Sequence, residues 1–180
     1  GRSDKYSDFK WHYYHFSGTD YNVANKKNAI YRILGEGKDW SQEVDNENAN
    51  YEYLMFNDLD LEHPEVVAEM GSWGRLVPHE LDLDGKSLDT IKHMDAHLIK
   101  KFLDEVRAER GDNFFAVGEY WKEDFDSLQE YLEIMDHSLN VFDVPLHYKF
   151  YQASHEGRDF YLTNLPDGTL VSQLPENAVT

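Results

Sequence analysis

Short apolar runs alternate with amphipathic segments along the second half of the chain, and this alternation restricts the fold more than any other feature. Three runs have the composition of strands, namely residues 81–91, 114–119 and 138–144. Three segments have apolar residues at helical spacing, namely residues 64–77, 95–110 and 123–135. Strands that alternate with helices form parallel β/α units. The sequence therefore predicts an α/β fold with a parallel sheet, in which residues 146–151 could open a further helix.

The first 57 residues have a different character. They are rich in aromatic and polar side chains and have no sustained helical period, which predicts an irregular lobe with short strands. In the helical segment that follows, Pro64 suits the first turn. Pro78 lacks an N–H group, so we expect it to kink this helix or to end it at Val77.

The acidic composition and the lack of cysteine restrict the kinds of partner and site that we expect. Lys and Arg total 17, Asp and Glu total 35, and the formal net charge is −18. Phosphate backbones and anionic headgroups bind clustered cations, so neither nucleic acid nor a membrane surface is an expected partner. No segment approaches the roughly 18 apolar residues of a membrane span. The lack of cysteine excludes a thiolate metal site and a cysteine nucleophile.

Two carboxylates follow neighbouring candidate strands. Asp89 lies near the end of the first run and Glu119 at the end of the second. The carboxyl ends of parallel strands carry the site in such folds, so we expect the two side chains to converge. A glycosidase needs such a pair, because one carboxylate attacks or stabilises the sugar carbon while the other protonates the leaving oxygen. On periodicity alone, a solvated charge or a helix cap is the commoner role.

Ordered motifs over essentially the whole chain carry a family resemblance. The segment DGKSLDTIKH at residues 84–93 is similar to the second signature region of the alpha-amylase family of glycoside hydrolases, and FAVGEYW at residues 115–121 is similar to its third. Other segments resemble the liquefying bacterial members of the family, namely YSDFKW at 6–11, NYEYLM at 50–55, DLD and HPEV between 58 and 66, and VFDVPLHY at 141–148.

The resemblance implies a retaining, endo-acting hydrolase of alpha-1,4-glucans such as starch, glycogen and maltodextrins. It also implies a (β/α)8 TIM barrel with a lobe inserted between the third strand and the third helix. Residues 1–57 would be part of that lobe and residues 58–180 part of the barrel. Asp89 matches the nucleophile of the family and Glu119 its general acid/base. This assignment is chemically consistent, because the nucleophile must stay ionised while its partner holds a proton.

The resemblance also implies substrate contacts. Lys92 and His93 match residues on the leaving-group side of the glucan cleft. Trp121 offers a flat face on which a sugar ring can stack, although a core role is about as common for such an aromatic side chain.

A structural calcium ion is implied where the lobe meets the barrel. Asp58 matches a ligand of that ion, Glu52 stands where relatives usually have Asp, and His93 could supply its backbone carbonyl oxygen. Hard oxygen ligands suit calcium, whereas a solvated acidic loop is the alternative. Ser17 and Ser41 occupy positions that are Asp in relatives with an extended metal cluster, so we expect that cluster to be absent. His93 and His97 have the i, i+4 spacing of a zinc site, but no Glu follows the first of them as that motif requires. The remaining histidines show no ligand pattern.

Two departures from the family bear on activity. Ser87 stands where the family places Arg, two residues before the nucleophile, and a hydroxyl cannot supply a charge or a bidentate fork. Lys86 should point to the opposite face of the strand and so cannot replace the Arg. The resemblance further implies an internal fragment with about three of eight barrel strands, outside which the third catalytic Asp lies. We therefore expect the 180-residue chain not to hydrolyse starch by itself.

The alternative from another class is a non-catalytic glucan-binding or interaction protein derived from the same fold, which the serine at position 87 favours. The lack of the extended metal cluster and of cysteine favours a cytoplasmic over a secreted location.

Overall fold

The computed structural model describes residues 7–41, 44–46 and 55–180. Its strands and α-helices are β1 (Phe16–Asn22), β2 (Lys27–Arg32), β3 (Asn57–Leu59), α1 (Pro64–Leu81), β4 (Gly85–Leu88), α2 (Ala96–Arg110), β5 (Phe115–Gly118), α3 (Phe125–Ile134), β6 (Asn140–Phe142), α4 (Val144–Glu156), α5 (Leu170–Gln173) and β7 (Ala178–Val179). None of the helices in the described part of the chain is long and apolar enough to cross a membrane.

The first three strands form an antiparallel sheet in the order β2-β1-β3. Gly18 lies within β1, where a Cβ atom would be 2.5 Å from the Trp40 ring, so the close approach of that ring requires glycine. The short strands predicted for the first part of the chain are therefore present. The sheet takes its third strand from Asn57–Leu59, and the division of the chain after residue 57 stays a prediction.

The other four strands form a parallel sheet in the order β4-β5-β6-β7. Helix α2 connects β4 to β5, α3 connects β5 to β6, and α4 with α5 connects β6 to β7. The α/β class and the predicted β/α units are thus confirmed. The sequence indicated about three strands, whereas the structure has four. The extra strand, β7, is only two residues long, which is too short to show a period of two.

Aspartates begin the helices that follow the parallel strands. The side chains of Asp95, Asp124 and Asp143 each accept a hydrogen bond from the backbone N–H three residues later, over 2.8, 2.9 and 3.0 Å. These bonds satisfy N–H groups that have no partner within the helix. The starts of α2, α3 and α4 are consequently fixed by the local sequence, close to where the periodicity placed them.

The core lies between the parallel sheet and helices α2 and α3. Its buried side chains form one cluster, namely Ile91, Ala96, Ile99, Leu103, Ala116, Tyr120, Leu128, Tyr131, Leu132, Met135, Leu139, Val141 and Leu170. Burial of this apolar surface is the main force that holds the strands in register. It also holds the ends of β4 and β5 at one edge of the sheet.

Helix α1 does not end or break at its internal proline. The helix runs through Pro78 to Leu81, so the predicted end at Val77 is wrong. A proline in this position deprives the carbonyl oxygen four residues earlier, that of Gly74, of its helical N–H partner. The structure supplies a substitute, because the Lys86 Nζ atom donates a hydrogen bond to the Gly74 oxygen over 2.9 Å. A side chain from β4 therefore compensates the defect in α1.

Candidate active site

Strands β4 and β5 place the two predicted catalytic carboxylates side by side. Leu88 lies opposite Gly118 in the register, so Asp89 and Glu119 are the next residues on two adjacent parallel strands. The Glu119 N–H donates to the Leu88 carbonyl oxygen over 2.8 Å, which extends the ladder by one step. Adjacent strands lie about 4.8 Å apart. Two side chains in register at their ends are therefore within reach of each other.

Side-chain alternation separates this pair from the helices. Lys86 points toward the helical layer, where its Nζ atom lies 5.0 Å from the ring centroids of both Trp73 and Phe102. Ser87 on the same strand and Asp89 directly after it alternate with Lys86 and face the other way, and both are exposed. The Lys86 ammonium is thus turned away from Asp89, as the period of two predicts.

The two carboxyl groups interact directly. The register of β4 and β5 places the side chain of Asp89 next to that of Glu119. Burial of Glu119, its hydrogen bond to Asp89 and the negative charge of Asp89 all raise the pKa of Glu119 above its ordinary value. Two carboxyl groups this close do not ionise independently. Glu119 consequently keeps a proton to higher pH than an isolated glutamic acid, which is the property a general acid needs.

The turn after β4 is attached to the loop after β5. The Ile91 side chain is completely buried, and its N–H donates to the Glu119 carbonyl oxygen over 3.2 Å. One residue further, the Lys92 Nζ atom donates to the Trp121 carbonyl oxygen over 2.9 Å. These two bonds hold the segment after Asp89 against the segment that contains Glu119.

A small cavity opens beside Glu119 at the same edge of the sheet. Its volume is about 190 Å³, and its lining consists of Thr90, Lys92, His93, Glu119 and Trp121. The structure thus brings the three predicted substrate-contacting residues together next to the predicted general acid. The Trp121 side chain is 43% exposed, which leaves part of its ring surface open to a ligand.

One aromatic neighbour of this cavity was missed by the sequence analysis. The exposed His147 ring lies 5.1 Å from that of Trp121, centroid to centroid. His147 is in the first turn of α4, just after β6. It lies five residues beyond the end of β6 and inside α4, so the strand-end rule that predicts Asp89 and Glu119 does not reach it.

Comparison with known proteins shows which proteins this chain resembles. A scan against protein-family models finds no match. The chain is 46% identical over 180 residues to the alpha-amylase of Bacillus licheniformis. The chain is a homologue of the bacterial alpha-amylases. It is also 43% identical over 181 residues to the glucan 1,4-alpha-maltohexaosidase of Bacillus sp. (strain 707) and 35% identical over 181 residues to the cytoplasmic alpha-amylase of Escherichia coli (strain K12).

The similarity extends over nearly the whole chain but over a limited part of each relative. It covers all of this chain against the two Bacillus proteins and 99% of it against the Escherichia coli protein. The corresponding shares of those proteins are 35%, 35% and 37%. The chain thus spans about a third of the length of the curated alpha-amylase relatives it matches.

Solved alpha-amylase structures share the fold. The structure of the Geobacillus thermoleovorans alpha-amylase complexed with acarbose matches with a TM-score of 0.53 and 26% identity, over 63% of this chain and 26% of that one. An Anoxybacillus alpha-amylase matches with a TM-score of 0.52 and 28% identity, over 65% of this chain and 25% of that one. The four parallel strands and their helices are accordingly part of a (β/α)8 barrel.

The predicted calcium site falls only in part within the described residues, so it stays a prediction. Glu52 lies outside those residues. Asp58 is on β3, where one of its carboxylate oxygens accepts a hydrogen bond from the Ser17 hydroxyl. Within residues 7–41, 44–46 and 55–180, Asp58 does not join two other His, Asp or Glu side chains in a metal-sized group. Calcium takes six to eight oxygen ligands, so a site here would also need Glu52 and backbone carbonyl oxygens such as that of His93.

A lysine ammonium group is buried close to the predicted calcium site, where β1 meets the segment after β3. The Lys38 Nζ atom is 2.6 Å from an Asp60 carboxylate oxygen and donates to the Phe16 carbonyl oxygen over 3.0 Å. The side chains of Lys38 and Asp60 are 8% and 10% exposed. This ammonium group supplies a buried positive charge where β1 meets the segment after β3.

One histidine cluster has metal-like spacing but the wrong hydrogen bonds for a metal site. Ligand atoms of His15, His63 and Glu65 lie within 4.8 Å of one another. The Nδ1 atom of His15 accepts the His12 N–H over 3.0 Å, and that of His63 accepts the Glu65 N–H over 3.3 Å. A neutral imidazole that accepts at Nδ1 carries its proton on Nε2. The cluster is therefore a hydrogen-bonded one, in which His15 Nε2 donates to Glu65 over 2.9 Å.

Proposed function

We propose that Asp89 and Glu119 carry out retaining hydrolysis of alpha-1,4-glucans. The observation that carries this proposal is the register of β4 and β5, which places the two carboxyl groups side by side at the ends of neighbouring strands. Burial, together with the adjacent Asp89, raises the pKa of Glu119. The substrate class is inferred from the relatives, which are named alpha-amylases and a glucan 1,4-alpha-maltohexaosidase. Retaining enzymes hold their two carboxyl groups roughly 5–5.5 Å apart, which is compatible with side chains at the ends of adjacent strands whose backbones lie about 4.8 Å apart.

The reaction has two steps. In the first, the Asp89 carboxylate attacks the anomeric carbon, the glucosidic C–O bond breaks, and Glu119 gives its proton to the leaving oxygen. In the second, Glu119 takes a proton from water, and the water oxygen attacks the anomeric carbon and releases Asp89. One water molecule is consumed, and both carboxyl groups return to their starting states.

The cavity beside Glu119 is suited to the leaving-group side of the substrate. It adjoins the group that protonates the leaving oxygen, and Lys92, His93 and Trp121 line it. The Lys92 Nζ bond to the Trp121 carbonyl oxygen holds the indole-bearing residue in place. The open part of the Trp121 ring can then stack on a sugar, because sugar rings present apolar C–H groups to aromatic faces.

A second candidate function is glucan binding without hydrolysis. The exposed Ser87 hydroxyl carries no charge, and Lys86 on the same strand is directed to the Gly74 carbonyl oxygen instead. Strand β4 therefore provides no cation beside Asp89. A carboxylate that no guanidinium fork orients is poorly held for attack, whereas stacking and hydrogen bonding to a glucan do not need that orientation.

Mechanism-based labelling separates the two functions. The 180-residue chain is incubated with 5-fluoro-maltosyl fluoride, which has an activated leaving group and forms long-lived esters with retaining alpha-glycosidases. Mass spectrometry of peptides is expected to find the maltosyl ester on Asp89. Asp89→Asn should abolish the label, and Glu119→Gln should let it accumulate, because the base that activates water is missing.

The outcomes lead to different conclusions. Labelling of Asp89 supports hydrolysis, including the case in which starch itself is not cleaved, as the sequence predicts for the chain alone. Binding of maltoheptaose without any label supports the second function. If the chain neither becomes labelled nor binds maltoheptaose, both functions are refuted.

Calcium stays a prediction that depends on Glu52, Asp58 and the His93 carbonyl oxygen. What supports it is the chemistry of these donors, all of which are hard oxygens. Thermal unfolding with calcium or with a chelator tests the prediction without reference to activity, since an ion that binds only the folded state raises the unfolding temperature.

A further inference from the structure

Asp45 connects three points around the predicted active site although it lies 74 residues before Glu119. Its side chain is 4% exposed. Its N–H donates to the Lys92 carbonyl oxygen over 2.9 Å. One of its carboxylate oxygens accepts hydrogen bonds from the Tyr120 hydroxyl over 2.8 Å and from the Lys122 Nζ atom over 2.7 Å. A single residue thus contacts both the turn after β4 and the loop after β5.

The first four residues of the loop after β5, 119–122, are all held by hydrogen bonds. The Glu119 backbone bonds to the Leu88 carbonyl oxygen and the Ile91 N–H. The Trp121 carbonyl oxygen accepts from Lys92. Tyr120 and Lys122, which flank Trp121, are both held by Asp45, as described above. Ring contacts of Tyr120 with Tyr131 and of Trp121 with His147 also support this segment, and Asp45 adds two hydrogen bonds from a distant part of the chain.

Asp45, Tyr120 and Lys122 form a hydrogen-bonded group, called the clamp below, whose contacts are expected to be rigid. The Tyr120 side chain is 5% exposed, and burial together with the Asp45 carboxylate raises the pKa of its hydroxyl. The hydroxyl therefore stays protonated and continues to donate. The Asp45–Lys122 ion pair is partly shielded from water, since the two side chains are 4% and 31% exposed. Hydrogen bonds to charged groups are roughly twice as strong as neutral ones.

We propose that Asp45 is a positioning residue that holds the loop after β5 so that the Glu119 carboxyl group stays against Asp89. Asp45 does not touch the substrate in this scheme and acts through Tyr120 and Lys122. The effect of Asp45 on catalysis rests on the proposed function. Its effect on the position of the Glu119 carboxyl group does not. The position of the Glu119 carboxyl group can be followed by its titration, because loss of burial and of the Asp89 contact would both lower its pKa.

Two variants distinguish an effect of the Asp45 and Lys122 charges on the pKa of Glu119 from an effect of the position of the loop after β5. Asp45→Asn removes a negative charge, which by direct Coulomb effect lowers the pKa of Glu119. Lys122→Met removes a positive charge, which by the same effect raises it. If the clamp is what matters, both variants loosen the loop and both lower the pKa of Glu119. Other charged groups around the clamp, Glu130 in the adjoining cavity and Asp124 at 4.0 Å from the Lys122 amine, are left unchanged.

The experiment is a pH titration of the 13C-labelled Glu119 side-chain carboxyl group by NMR, with the signal assigned through its loss in Glu119→Gln. We expect a downward shift of its pKa in Asp45→Asn, in Lys122→Met and in Tyr120→Phe, which removes no charge. Lys122→Arg keeps the ion pair and should restore the value of the unmodified chain. The rate of labelling of Asp89 by 5-fluoro-maltosyl fluoride should fall by about 10–100-fold in Asp45→Asn, since a misplacement near 1 Å can cost that much.

The signs of the Glu119 pKa shifts in the variants decide the role of Asp45. Shifts of opposite sign in Asp45→Asn and Lys122→Met, or no shift in either, would show that Asp45 acts through charge alone or not at all, and would overturn the proposal. Downward shifts in both support it. If either variant does not fold by circular dichroism, Tyr120→Phe decides by the same criterion. The titration needs no substrate, so a chain that fails to react with the fluoride refutes the proposed function without deciding the role of Asp45.

Discussion

The contact between Lys86 and helix α1 gives a quantitative prediction. Lys86→Met keeps the length of the side chain but removes the donor to the Gly74 carbonyl oxygen, which Pro78 already deprives of its helical partner. A buried carbonyl group left unpaired costs about 1–3 kcal/mol. The loss of the contacts with the Trp73 and Phe102 rings adds about 0.5–1 kcal/mol, and relief from holding a half-buried charge offsets part of the total.

We therefore expect Lys86→Met to lower the free energy of unfolding by about 1–3 kcal/mol. In a chain of this size that corresponds to a fall of about 2–10 °C in unfolding temperature. Urea unfolding followed by circular dichroism measures the change. The matched control is Lys101→Met, since Lys101 is an exposed lysine on α2, and its replacement should change stability by less than about 0.5 kcal/mol.

A double-mutant cycle tests the reason for the loss. Pro78→Ala restores a backbone N–H that can bond to the Gly74 oxygen, so Lys86→Met should cost about 1 kcal/mol less in the Pro78→Ala background. An equal cost in both backgrounds would refute the idea that the lysine compensates the proline.

The pH dependence gives a further check on Lys86. Burial lowers its pKa in the folded chain below the ordinary value of 10.5. Between the folded and unfolded pKa values the unfolded chain binds more protons at this group, so its contribution to stability rises with pH in that window. The stability difference between the unmodified chain and Lys86→Met should therefore increase as pH approaches 10.5 from below.

Three other predictions concern the site and its supports. Asp89→Asn should lower the pKa of Glu119, because it removes the neighbouring negative charge, and an unchanged NMR titration of Glu119 would contradict the pairing. Gly118→Ala places a Cβ atom 2.4 Å from the Ile91 Cδ1 atom, so it should cost about 1–3 kcal/mol in urea unfolding. Ile91→Val, which removes that Cδ1 atom, should recover part of the loss, and a failure to recover any would exclude the steric cause. Calcium should raise the unfolding temperature relative to a chelator, and Asp58→Asn should abolish the difference; equal temperatures in the unmodified chain would eliminate the ion.

The β/α units and the carboxylate pair could be predicted because they depend on local signals. Alternating apolar residues and aspartate caps mark the strands and helices, and parallel strands bring their carboxyl ends to one edge of the sheet. The register of β4 and β5 then places Asp89 beside Glu119. The roles of these residues, in contrast, came from the resemblance and not from the spacing.

The errors arose where a distant residue changes the outcome of a local rule. Pro78 would disrupt an isolated helix, but a lysine on the next strand supplies the missing donor. Asp45 escaped notice for the same reason, since its partners are 75 and 77 residues away in the sequence. Strand β7 was missed because two residues do not make a pattern.

The bond between position 86 and helix α1 has a consequence for how such a sequence can arise. A proline at position 78 on its own would leave a carbonyl group without a donor, whereas a lysine at position 86 on its own would simply share an oxygen that is already satisfied. The lysine can therefore be acquired before the proline at little cost, whereas the proline cannot be acquired before the lysine. The mutational route to this pair thus runs in one direction. Once both are present, the two do not revert with equal ease, because the loss of the lysine alone exposes the defect that the proline created, whereas the loss of the proline alone restores the helical donor.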